Sequence, residues 1–202
     1  MTLNANGLAR RYDRLTPDER ARAALEASAR GDFEERDRLI DSCPRHTYSE
    51  PDAAFMDRLD ASRDLAVIVA LELSARLAQA RMLDASAESA TRCVVLGAQA
   101  MREASDGEPV DDADLAAAVE EPIGRGFGEL RAVLVEAAAA VYAAFAAVCR
   151  QRLGVEPETV LLAHIGPPHV ERLGLEILQG TPPDENATRP WRELFERRID
   201  AD

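Results

Sequence analysis

The sequence predicts an all-α fold, a helical bundle with two or three long helices and shorter peripheral helices. The first sign is Ala132 to Cys149, eighteen residues with nine alanines and one charge, Glu136, inside a helical pattern from about Gly128 to Leu153. The second is a core chemistry with 47% hydrophobic but only 4% aromatic residues, so that Ala, Leu, Val and Ile must fill the interior at close helix–helix distances. The third is that no segment sustains the period-two alternation of a half-buried strand. At 202 residues the chain reads as a single domain, 1–202: an N-terminal hairpin over about 16–43, a long-helix core over about 52–154 and short helices over about 156–200.

Thr16-Pro17-Asp18-Glu19 is a helix start, with Thr as N-cap, Pro at the first helical position and Glu placed to close a capping box. The helix runs to about Arg30, where Gly31 stops it and Asp32 caps a second one from Phe33 to about Ser42. After the loop 44–51 a long helix starts near Asp52, with Phe55, Leu59, Ala66, Val69 and Leu73 on one face and small Ser62 in the gap. Its centre, Leu65 to Leu71, is wholly apolar, which predicts burial on all sides. Continued to Asp84, it is about 50 Å long at 1.5 Å per residue.

A fourth helix is expected from Ser86 to about Asp106, a polar linker over 106–114 and a short helix from Asp112 to Glu120, stopped by Pro122. Gly124 to Gly128 then leads into the alanine-rich helix, which Gly154 ends. Three shorter helices follow, Pro157 to His164, Pro168 to Gln179 and Pro190 to Asp200, separated by Gly-Pro turns.

The formal net charge is −13, and it is uneven: residues 1–50 carry 9 Arg and 10 acids, residues 51–202 carry 15 Arg and 27 acids. An acidic body repels phosphate backbones, so nucleic acid is not its expected partner. All 24 basic residues are Arg, which removes P-loop and Schiff-base lysine chemistry. Cys43, Cys93 and Cys149 are odd in number and unpaired in spacing, as expected of free thiols in a reducing cytoplasm. Met1 to Leu15 lacks the apolar core of a secretory signal. Leu130 to Cys149 approaches spanning length but contains Arg131 and Glu136 and is mostly Ala and Val, so no membrane span is expected.

Candidate sites are few. His164, His169 and Glu171 lie close in sequence around a Gly-Pro-Pro break and are the candidates for a metal-dependent enzyme; the simpler reading puts His164 near a helix C-terminus, where its charge or donor suits the last carbonyls, and His169 on the surface. Cys43-Pro44-Arg45-His46 pairs a thiol with an imidazole but has no further ligand or orienting acid, and Cys43→Ala is expected to leave folding unchanged. Gly124 to Gly128 lacks the preceding strand and following lysine of a phosphate loop, and Asp106, Glu108, Asp111, Asp112 and Asp114 lack the EF-hand order. The N-terminal hairpin has the outline of a helix-turn-helix, with Arg10, Arg11, Arg14, Arg20 and Arg22 before or within its first helix. Its second helix sets Arg36 and Arg38 among Glu34, Glu35, Asp37 and Asp41, a poor match to phosphates. The sequence therefore names no catalytic, cofactor-binding or metal residue, and no cofactor is expected.

The run Tyr12 to Arg20, the turn Ala29-Arg30-Gly31-Asp32 and Cys43-Pro44-Arg45-His46-Thr47-Tyr48 together resemble the start of uncharacterised bacterial helical proteins. The resemblance covers about the first quarter of the chain. It implies a bacterial origin and a shared hairpin, and it carries no catalytic residue across. The expectation drawn from all of this is a cytoplasmic, non-enzymatic helical protein acting through self-association, as a homodimer, or through a protein partner. The two nearly all-apolar stretches motivate it, because they need more covering surface than short helices supply; Val69→Asp or Ala139→Glu should then disrupt folding or assembly. The alternatives are a DNA-associated bacterial regulator using the N-terminal hairpin and an enzyme using the His164/His169 region.

Overall fold

The structure, a computed structural model, describes residues 14–41, 50–82, 127–179 and 183–200. The described elements are helical and no strand occurs among them: α1 (Pro17–Ala29), α2 (Phe33–Asp41), α3 (Glu50–Met82), α4 (Phe127–Val148), a π-helical turn (Cys149–Leu153), α5 (Pro157–Ile165), α6 (Pro167–Leu173), α7 (Leu175–Leu178) and α8 (Glu185–Asp200). The all-α expectation holds. Arg10, Arg11, the Cys43/His46 loop, Cys93, the helices expected over 86–106 and 112–120, the acidic linker, Gly124 and Gly126 lie outside the described residues.

Contacts gather the described chain into two units, one drawn from 1–66, 146–170 and 194–202, the other from 67–145 and 171–193. In unit 1 the hairpin is built as its sequence dictates. Glu19 N–H donates to Thr16 Oγ1 at 3.2 Å and Thr16 N–H to Glu19 Oε2 at 2.9 Å, closing the capping box. Those bonds from Thr16 hold the Glu19 carboxyl below its ordinary pKa. At the other end Gly31 adopts φ 76, its N–H donates to Ser28 O and that of Asp32 to Ala27 O, which is a Schellman stop. Asp32 immediately caps α2 by accepting from Glu35 N–H at 3.1 Å. One turn thus ends a helix and starts the next.

The hairpin packs through Ala21, Ala24, Leu39 and Phe55, with Ile40, Met56 and Leu59 against them. Beside this cluster Arg20 donates to Asp52 at 3.1 Å, both side chains about nine-tenths buried, and the guanidinium lies 5.3 Å from the Phe55 ring centre. α1 also packs against α5, whose Val160 and Leu161 are fully buried. The π-helical turn lets one carbonyl, that of Cys149, accept from the N–H groups of both Gly154 and Val155. Gly154 holds φ 66, and a Cβ there would stand 2.7 Å from Arg22 Nη2. The left-handed φ is what favours glycine here, since the Arg22 side-chain end can turn aside.

In unit 2 the second half of α3 buries Ile68, Val69 and Leu73, and α4 buries Leu134, Ala138, Ala140, Val141 and Phe145. Of the face expected of α3, Phe55, Ala66, Val69 and Leu73 are fully buried with Ser62 between them, while Leu59 is only partly buried. Burial on all sides between Leu65 and Leu71 is corrected: Val67 is 43% and Leu71 44% exposed. A helix centre can be all apolar in sequence and still keep one open stripe, because composition does not say how many neighbours surround it.

Two C-terminal boundaries also differ from expectation. The single helix over Pro168–Gln179 is two, broken where Gly174 takes φ 60. The last helix begins at Glu185 and carries Pro190 inside it. Thr188 N–H donates to Asp184 O and Thr188 Oγ1 to Glu185 O, so the first turn is secured before the proline is reached.

Candidate functional site

The polar group that the fold builds most deliberately is in unit 1. Pro157 opens α5 at its first turn, and Gly166 closes it, which places His164 in the last turn. Its Nε2 lies 2.9 Å from Ser62 Oγ on α3, 102 positions away in sequence. Ser62 Oγ in turn donates to Leu59 O at 2.7 Å. A hydroxyl has one hydrogen, so with that hydrogen on Leu59 the His164 Nε2–H is the donor to Ser62, and Nδ1 is the unprotonated acceptor. Burial, and then the Arg63 guanidinium, push the His164 pKa down to about 4, against a smaller opposing pull from Asp60. His164 is thus neutral at neutral pH, and its Nε2 bonds to Ser62 of α3 rather than supplying a charge or donor to the last carbonyls of its own helix, as the sequence suggested.

His164 lines a half-open cavity of about 270 Å³ between α1, α2, α3 and α5. Leu25, Ile40, Met56, Leu59 and Ala163 supply its apolar surface, and Ser28, Arg36, Asp37, Asp60 and Arg63 its polar one. The charges are matched: Arg36 Nη2 is 2.7 Å from Asp37 Oδ1, and Arg63 Nη1 is 3.3 Å from Asp60 Oδ1. Ser62 itself is fully buried with its hydrogen engaged, which leaves no exposed hydroxyl for attack on a substrate. His169 and Glu171 are both exposed, and among the described residues no group of three His, Cys, Asp or Glu is placed to hold a metal.

A second feature lies on the far part of α3. Val67, Leu71, Ser74 and Ala78 are all exposed and recur at the spacing of one helix face. Beneath them Glu72 is 2% exposed and accepts from Arg76, whose guanidinium lies 5.6 Å from the Trp191 ring centre. Burial raises the Glu72 pKa and outweighs the pull of Arg76.

Other residues singled out in the sequence are placed more simply. Arg20 is buried on Asp52, away from the solvent face that a DNA contact would use, and Arg38 pairs with Glu34 and Glu35. Cys149 is a buried free thiol whose pKa burial drives far up, so it carries little thiolate. Leu134–Leu153 is long and apolar enough to cross a membrane by composition, and 56% of that window is buried in the protein. The Ser62–His164 pair was missed in the sequence; its only trace is one small polar residue in an apolar stripe. No protein-family model, curated protein or solved structure matches the chain.

Proposed function

We propose that this chain is a non-enzymatic, cytoplasmic helical interaction protein that works by self-association, as a homodimer. The observation that carries the reading is the exposed stripe Val67, Leu71, Ser74, Ala78, uncharged over three turns of a helix whose other positions there are buried or half-buried. Removing such a stripe from water is favourable by about 25 cal/mol per Å² of apolar surface, and a closed symmetric pair brings the same stripe from both copies to one interface. The internal polar groups nearby are already matched, Glu72 by Arg76 and Arg76 by Trp191, so they need no partner from outside.

Light scattering on size-exclusion fractions of the full chain tests this. The expected mass is twice 22.0 kDa for the native chain and the single-chain mass for Val67→Glu/Leu71→Glu, with unchanged helicity. Glu suits an exposed helical position, so the double variant keeps its fold. A native chain that stays at 22.0 kDa at high micromolar concentration, or a double variant that still pairs, would overturn the reading.

A further inference from the structure

We propose that the cavity between α1, α2, α3 and α5 is a binding site for a small uncharged ring molecule carrying one N–H or O–H donor, with His164 as the acceptor. Size sets the first limit. A cavity of ~150 Å³ holds benzene, and by that scale the present volume of about 270 Å³ takes about ten to twelve non-hydrogen atoms. One fused bicyclic ring, or one ring with a short substituent, is of that size.

Charge sets the second limit. The cavity has two cations and two anions in its wall, and each Arg is already in contact with an Asp beside it. Arg36 is further fixed over the Phe33 ring at 4.9 Å. An ionic guest would meet the opposite charge of each pair within one side chain's reach and gain little from these water-exposed groups, whereas a neutral guest leaves both pairs intact. Leu25, Ile40, Met56, Leu59 and Ala163 offer an apolar bed, and Met adapts readily to an aromatic ring.

Polarity sets the third. The serine hydrogen goes to Leu59 and the imidazole Nε2–H to Ser62, so the ring is fixed in one tautomer with Nδ1 as its acceptor. The His164 ring makes no other hydrogen bond among the described residues. A guest that donates one hydrogen bond satisfies it, and a guest that only accepts does not. The four helices reach the cavity from positions 24–28, 36–40, 56–63 and 163–164, all within unit 1. Val67 and Leu71 are not part of it, so this site stands or falls apart from the self-association.

Indole is the probe, with 1-benzofuran as the same shape lacking the N–H donor. The full chain is titrated with each by calorimetry, and by NMR at the His164 ring and the Met56 methyl. Expected are one saturable indole site per chain with both signals shifted, and weaker binding of benzofuran by a factor of about 2 to 10, the worth of one net hydrogen bond. Ala163→Phe and, separately, Ser28→Phe fill the cavity from two different helices, and each is expected to weaken indole at least about tenfold while melting cooperatively. Two plugs are used so that one misfolded variant does not decide the question. Absence of saturable indole binding up to its solubility, or binding that a folded plugged variant leaves unchanged, would overturn the site. Equal affinity for indole and benzofuran would overturn the acceptor role of His164.

Discussion

Along α3 the exposed positions Glu50, Pro51, Ala54, Asp57, Asp60 and Arg63 belong to unit 1, while Val67, Leu71, Ser74 and Ala78, further along the same helix, belong to unit 2. The first set is mostly charged, and Arg63 has Asp60 and Asp64 beside it. The second set has no charge at all. The interiors differ in the same sense: unit 1 matches its buried polar groups across long sequence distances, Arg20 with Asp52 and Ser62 with His164, whereas Glu72 in unit 2 is paired only one turn along its own helix. Unit 1 pairs these groups across the chain, with Arg20 Nε left over among the described residues, and keeps Phe33 exposed beside Arg36, whereas unit 2 exposes an uncharged stripe on α3. A single helix is shared by both, so the backbone is continuous through the change.

The comparison breaks most visibly at neighbouring positions with opposite surroundings. Val69 is fully buried and Val67 is 43% exposed. Val69→Asp is expected to cost about 3–5 kcal/mol, as an unpaired charge in an apolar interior, and Val67→Asp about 0.5 kcal/mol in the isolated chain, read by chemical denaturation. Equal losses would mean that the stripe is structural.

Next in size is the buried pair of unit 1. Arg20→Met leaves the Asp52 carboxylate with a buried side and no guanidinium, at a cost of roughly 3 kcal/mol, and Arg20→Met/Asp52→Leu is expected to recover most of it. Thermal denaturation of the two variants separates charge from packing. Recovery in the double variant is the expected signature of a pair that specifies rather than stabilises.

The two glycine stops rank below this. Gly31→Ala meets empty space and bears only its left-handed φ, about 1 kcal/mol, whereas Gly154→Ala bears the same strain and must also turn the flexible Arg22 guanidinium aside, a small addition. Denaturant midpoints of the two variants give the order directly.

The dependence on pH differs in sign between the units. The folded pKa of His164 lies below its ordinary 6.5, at about 4, so the unfolded chain binds more protons in that window and this contribution is lost as pH falls from 6.5 to 4. The folded pKa of Glu72 is raised above 4.5, so its contribution is present below 4.5 and is lost as pH rises through the raised value. His164→Gln should therefore flatten the acid side of the stability profile, and Glu72→Gln should relieve a cost at neutral pH. Matched melting curves at pH 7 and pH 5 report both.

Much of unit 1 was legible because local chemistry decides it: the Thr16–Glu19 box, the Gly31-Asp32 turn and the stop at Gly154 each rest on residues a few positions apart. The buried face of α3 was legible by periodicity alone, down to Ser62. What escaped were features set by distant neighbours. Periodicity cannot show that His164 meets Ser62, that four segments enclose a cavity, or that Val67 and Leu71 lack a cover. The early start of α8 was hidden by Pro190, which reads as a first helical residue but sits a turn inside a helix already secured at Asp184 and Glu185.

Hydroxyl-radical footprinting of the full chain at low and high concentration tests the contrast most directly. Val67 and Leu71 are expected to lose reactivity as concentration rises, while Phe33, 54% exposed in unit 1 and lying against Arg36, is expected to react equally at both. Unchanged oxidation of Val67 and Leu71, or equal protection of Phe33, would contradict self-association through the far half of α3.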